Sequence, residues 1–261
     1  MRLFIFGLLT YFTTFLSAQE SLSFYCDVMS NAYEGENRVK AGAIFNDLFN
    51  KELLEKNSFD KPFTELKWVS IKYDEAKTFR LITWHVKNNN NNHKYFGYIQ
   101  KKDGTVTPLL DKANPNPDSE YETSDAENWT GCLYYNIKEV EINGIKNYLL
   151  FGFDANNGIS NFKICDVLTF GNDGKPVFGN EIFMISEGQR PDLKSRIIIE
   201  YSAIANVNFN YNEEMGMIVH DHIIARTGIS DKEPVSKIPD GTYVGYKWNN
   251  KYWKYIDKIE H

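Results

Sequence analysis

The stretch that decides the fold is Ile197-Ile198-Ile199-Glu200-Tyr201-Ser202-Ala203-Ile204-Ala205-Asn206-Val207-Asn208-Phe209-Asn210-Tyr211. Its odd positions read Ile, Ile, Tyr, Ala, Ala, Val, Phe, Tyr, and its even positions are dominated by Glu, Ser and Asn. That alternation is the signature of a strand with one buried and one mostly wet face. Fifteen extended residues would span roughly 50 Å, well beyond an ordinary strand, so a bend is expected near Ala203–Asn206. Asn212-Glu213-Glu214-Met215-Gly216 reads as a turn, and Met217–Ile224 as a returning apolar strand. The stretch therefore predicts a long hairpin at the centre of a β-rich domain.

Working outward, the rest of the chain repeats the same grammar. Leu66–Tyr73, Phe79–Val86, Tyr95–Gln100, Thr105–Leu110, Cys132–Ile142, Lys146–Asp154, Asn161–Phe170, Pro176–Ile185, Thr242–Trp248 and Tyr252–Ile259 are apolar, β-branched or aromatic runs. Asp103-Gly104 and Asn143-Gly144 are hairpin turn signals, the latter the strongest that two residues carry. Short turns between successive strands predict antiparallel pairing. The expected fold is mostly β, a large antiparallel meander arranged as a sandwich, a barrel or a propeller-like array, with a helix near the N-terminus. Aromatic-Gly-aromatic triplets at Phe96-Gly97-Tyr98 and Phe151-Gly152-Phe153, and the related Val244-Gly245-Tyr246, are too unevenly spaced to define a repeat.

The helix is expected over Asn37–Asn57, where Val39, Ile44, Leu48, Leu53 and Leu54 approximate a helical stripe. Asn88–Asn92 is expected to be a solvated loop. Asp111–Asn128, with two prolines and six acidic residues, reads as a flexible surface loop, and Asp118, Glu120 and Glu122 offer a calcium site without a fixed ligand spacing.

Met1–Ala18 has a basic residue, an apolar run from Leu3 to Leu16 and a small Ser17-Ala18 pair, the parts of a secretory signal peptide. The organisation read from sequence is thus a leader over 1–18, a helical segment over 19–62 and an antiparallel β domain over 63–261, exported to the periplasm or the extracellular space. Past the leader no run approaches the ~20 apolar residues of a transmembrane helix. Without it, 28 basic residues stand against 35 acidic ones, a balance that argues against nucleic acid as partner. Three cysteines, Cys26, Cys132 and Cys165, cannot all pair within one chain, although a Cys132–Cys165 bridge is conceivable.

Trp129-Thr130-Gly131-Cys132-Leu133-Tyr134-Tyr135 resembles an uncharacterised family of secreted proteins from Bacteroidota-type bacteria. So do Leu150-Phe151-Gly152-Phe153-Asp154, Gly174-Lys175-Pro176-Val177-Phe178-Gly179, Glu200-Tyr201-Ser202-Ala203 and Pro239-Asp240-Gly241. The likeness spans most of the chain after the leader. It implies secretion and one intact domain, and attaches no activity.

Two candidate sites stand out. His220-Asp221-His222 would place both imidazoles on one face of a strand, where a third ligand such as Glu200 or Asp154 completes a metal site; the simpler reading is a partly buried histidine bonded to backbone. Tyr246, Trp248 and Trp253, in the aromatic-rich terminal hairpin, offer flat faces for stacking on a sugar ring, or else close the core. Asp154-Ala155-Asn156-Asn157-Gly158 is closer to a hairpin turn than to a calcium loop, its glycine coming one place early. Nucleophile-elbow, phosphate-loop and zinc-helix motifs are missing from the sequence. The expected function is a non-catalytic binding or structural protein of the cell envelope, its partner a glycan or an envelope protein. The alternative is a secreted metal-assisted hydrolase using the His-X-His pair. No cofactor is named by any motif.

Overall fold

The computed structural model describes residues 22–113, 117–186, 191–226 and 236–259; the leader expected over 1–18 lies outside them. Half of the described residues are strand and 18% helix, so the mostly β expectation holds, as three antiparallel-rich sheets with no closed barrel among the described residues. No helix among the described residues is long and apolar enough to cross a membrane.

Two helices lead the described chain, α1 over 22–31 and α2 over Gly35–Leu54. The short apolar segment Phe24–Met29 lies within α1. The stripe expected on α2 is kept only in part: Val39, Ile44 and Leu54 are exposed and Leu48 is half-buried against the core, while the buried line is Ala41, Phe45, Phe49 and the expected Leu53. Those four recur every fourth residue, and two of them are phenylalanines. Burying a phenylalanine contributes about 1.5–3 kcal/mol, so the aromatic face wins the contact with the sheet.

The first sheet is the meander β1 (Ser70–Tyr73), β2 (Phe79–Lys87), β3 (His93–Lys101) and β4 (Val106–Ala113). β5 (Ser124–Asp125) belongs to the second sheet, and β6 (Trp129–Thr130) pairs in parallel with β4. A second meander follows in β7 (Leu133–Ile142), β8 (Ile145–Asp154), β9 (Ser160–Phe170) and β10 (Pro176–Phe178). Asn143 and Gly144, at φ 53° and 77°, form the β7–β8 turn with both central residues left-handed, the geometry that Asn-Gly supplies.

The third sheet contains β11 (Phe183–Ser186), β12 (Asp192–Lys194), β14 (Phe209–Asn212), β15 (Met217–Arg226), β16 (Ser236–Trp248) and β17 (Trp253–Ile256). β13 (Ile197–Ser202) instead lies antiparallel to β9 in the second sheet. Ile199, Tyr201, Val207 and Phe209 are buried, so the alternation read from sequence is real. The single long hairpin is not: a turn at Ala203–Ile204 sends the two halves to different sheets, and only Phe209–Asn212 pairs with β15. Gly245 of β16 sits so close to β15 that a Cβ there would lie 2.0 Å from the Ile218 carbonyl oxygen, which is why this position has no side chain.

Parity sorts the core into layers. On β2, Phe79 and Leu81 face the second sheet, while Ile82, Trp84 and Val86 face the helices. On β8, Tyr148 and Leu150 join the first of these contacts, while Leu149 and Phe151 meet Phe183, Phe209, Ile218 and Tyr246 of the third sheet. The order is helices, first sheet, second sheet, third sheet. The middle sheet is buried on both faces, so Tyr148-Leu149-Leu150-Phe151 is apolar throughout instead of alternating.

The described part of the loop expected over Asp111–Asn128, residues 117–128, is a packed connection. Ser119 and Glu120 are buried in a short 3₁₀ turn (Pro117–Tyr121), and Glu120 pairs with Lys194 and accepts the Ile198 backbone N–H. A carboxylate with two inward partners holds this segment to β12 and β13, a constraint that composition does not reveal.

Candidate functional site

The two histidines singled out from sequence part company at a bulge. The β15–β16 register slips between Asp221 and Ile223, which breaks the two-residue periodicity at His222. His220 is buried against the rings of Phe209 and Tyr246, its Nδ1 2.8 Å from the Asp221 carbonyl oxygen, and burial pushes its pKa down. His222 is half-exposed and its Nδ1 lies 2.8 Å from Asp240 Oδ2. The hydrogen bond from His222, followed by those from Thr242, holds the Asp240 carboxyl down to about 2.

The third ligands suggested for that pair have partners of their own. Asp154 Oδ1 accepts the Tyr95 hydroxyl at 2.8 Å and the Asn156 N–H at 2.7 Å, and burial raises its pKa. Glu200 pairs with Lys237. Among the described residues, no group of three or more His, Cys, Asp or Glu is placed to hold a metal ion. Glu120 of the acidic calcium candidate is the inward ion-pair partner of Lys194. Asp154–Gly158 is a turn in which Asn157 Oδ1 accepts the N–H groups of Ile159 and Ser160.

The aromatic candidates are mostly interior. Tyr246 and Trp253 are 4% and 3% exposed and belong to the core between the second and third sheets; Trp248 lies beside Trp253 with ring centres 5.6 Å apart and planes inclined at 53°. A ring stacking on sugar needs an open face, and of the three only Trp248 keeps part of one.

A groove of about 540 Å³ lies between the second and third sheets, at the end where the β7–β8 turn, the β9–β10 end and the β16–β17 turn converge. Asn147 is 1% exposed; its Nδ2 donates to the Ile145 carbonyl at 3.0 Å and its Oδ1 accepts Asn180 Nδ2 at 2.9 Å. Asn147 is thereby anchored from both ends of its amide, and it positions Asn180, which is only half-buried. The half-buried rings of Phe170 and Tyr252 and the exposed Ile145 add apolar surface, and Lys251 Nζ lies 4.9 Å from the Tyr252 ring centre. Among the described residues Glu181 is the single carboxylate lining the groove, whereas glycoside hydrolysis ordinarily uses two. Oriented amides beside aromatic faces can bind hydroxyl-rich ligands without transforming them.

Tyr252 belongs to the aromatic-rich terminal hairpin that the sequence offers for stacking on sugar, whereas nothing in the sequence points to Asn147 or Asn180. Asparagines abound in the turns of this chain, and only the packing of one sheet on another distinguishes these two. A second group was also overlooked. His85 on β2 and His93 on β3 flank the asparagine loop, and their rings lie 4.7 Å apart. Burial, then the neighbouring His93 and Lys87, pushes His85 down to about 4; burial, then Lys87 and Arg38, does the same to His93. Hairpin pairing around Asn88–Asn92 was the available signal, since it makes 85 and 93 diagonal neighbours on one face. Compared with protein-family models, with curated proteins and with solved structures, the chain matches none.

Proposed function

We propose that this chain is an exported, non-catalytic binding protein, and that the groove beside Asn180 and Tyr252 takes a hydroxyl-rich ligand, a glycan of the cell envelope or its surroundings. Export rests on the leader read at Met1–Ala18 and on the resemblance to secreted proteins. The observation that carries the binding assignment is the Asn147–Asn180 amide pair: a buried asparagine whose own hydrogen bonds are satisfied holds a second one at the groove. Such preorganisation lowers the ordering cost of recognition. Tyr252 supplies the flat apolar surface that the underside of a pyranose covers.

The test is retention on immobilised polysaccharides and a glycan array, followed by calorimetry on any hit. Asn180→Ala and Tyr252→Ala are expected to weaken binding by about tenfold each, some 1.4 kcal/mol, with unchanged melting in Tyr252→Ala and a lowered Tm in Asn180→Ala, which leaves Asn147 Oδ1 without its partner. Indifference to every glycan, or equal binding by both folded variants, refutes the assignment.

A further inference from the structure

We propose that His85 and His93 form a two-nitrogen binding site for a divalent transition-metal ion of the copper(II) or nickel(II) type, separate from the groove. The Nδ1 atoms of both rings are shielded from solvent and have no hydrogen-bond partner among the described residues. Two such orphans on adjacent strands call for an ion or a water, because buried imidazole nitrogens are otherwise satisfied. Neutral imidazole is the commonest side-chain ligand for these metals.

The geometry selects the class. Were both Nδ1 atoms turned to one ion at metal–nitrogen bonds of about 2.0–2.1 Å, each ring centre would stand about 3.2 Å from it, and rings 4.7 Å apart would subtend roughly 95°. That is the angle between adjacent ligands in a square-planar or tetragonal complex, narrower than the tetrahedral angle zinc prefers. Lys87 and Arg38 stand nearby and disfavour an ion held by charge alone, such as calcium or magnesium. A metal at the top of the affinity order for nitrogen ligands tolerates them, with water in its remaining positions.

The site is also held in place. Arg38 on α2 donates through Nε to the Lys87 carbonyl at 2.7 Å and through Nη1 to the Ala32 and Tyr33 carbonyls at 2.6 and 2.8 Å. Asn89 Oδ1 accepts the Gly35 N–H. The β2–β3 hairpin end that carries both histidines is thus fastened to the turn between the helices, and His85 is backed by the Tyr95 ring at 5.5 Å. Fixed ligands lose less entropy on coordination.

The purified full-length chain is titrated with copper(II) chloride and followed by electron paramagnetic resonance and thermal melting, with His93→Ala, His85→Gln and His222→Ala alongside. Expected are one bound ion per chain with hyperfine structure from two nitrogens, a raised Tm, and about tenfold or greater weakening in the His93 and His85 variants but not in His222→Ala. The proposal is overturned if the wild-type spectrum lacks the two-nitrogen pattern, or if folded His93→Ala binds as tightly as wild type. The first readout needs no variant, so a variant that fails to fold leaves the proposal falsifiable.

Discussion

Arg196 Nε donates to Asp166 Oδ1 at 3.0 Å, and both side chains are 1% exposed at the heart of the second sheet. Arg196 Nη1 also donates to the Ser119 carbonyl, while Asp166 Oδ2 accepts the Tyr134 hydroxyl, which in turn accepts the Trp129 indole N–H. The pair joins β9 and the residue before β13 to the connection expected from sequence to be a flexible surface loop.

Removing one partner of such a pair leaves a buried charge uncompensated. Asp166→Asn is expected to lower stability by about 3–5 kcal/mol in urea unfolding, and Asp166→Asn with Arg196→Met to lower it by less than Asp166→Asn alone. A neutral Asp166→Asn would show that the carboxylate is dispensable.

Arg80 presents the contrasting case, a fully buried guanidinium with no carboxylate among its bonded partners in the described residues. It donates to Gln100 Oε1, to the Ser58 and Lys61 carbonyls and to the Tyr73 hydroxyl at 2.6–2.8 Å, inside a cage of Phe59, Phe63 and Tyr73 rings. Burial pulls its pKa below the usual value. A lysine carries charge but cannot reproduce this planar fork, so Arg80→Lys is expected to cost about 2–4 kcal/mol, read as a lower urea midpoint.

His85 and His93 make stability depend on acid. Their folded-state pKa values of about 4 lie below the ordinary 6.5, so above pH ~6.5 both states leave them neutral. Between pH ~6.5 and ~4 the unfolded chain takes up protons that the folded one refuses, and stability falls as pH falls. With screening at these partly solvated rings, the loss is expected to reach about 1–3 kcal/mol. His93→Gln should flatten the metal-free stability profile in that window; an unaltered slope would assign it to other groups.

Cys26, Cys132 and Cys165 are free and buried, and burial raises the pKa of each thiol. Iodoacetamide is expected to leave the native chain unmodified and, without reductant, to label three thiols after denaturation. Labelling of one thiol alone under those conditions would reveal a disulfide.

Much of the strand content was legible because it is written locally: Asn143-Gly144 and Asp103-Gly104 turn where expected, and the alternation from Ile197 to Phe209 is kept in the burial. The helix was legible as a helix, though its buried face only in part, since Val39 and Phe45 compete for a surface that only the sheet defines. The candidate sites fared differently. Tyr246 and Trp253 look the same in sequence whether they face water or core, and the bulge that separates His220 from His222 is set by the pairing of β15 with β16.

What the sequence determined by itself is the run of short antiparallel strands, because side-chain parity and turn residues act over a few neighbours. Which sheet each strand joins was decided only in three dimensions. Ile197–Ser202 and Phe209–Asn212 carry the same alternation yet belong to different layers, and the Asn147–Asn180 and His85–His93 pairs exist only because those layers and hairpins meet. Such contacts depend on the combined fit of apolar faces from distant segments, which no single segment encodes.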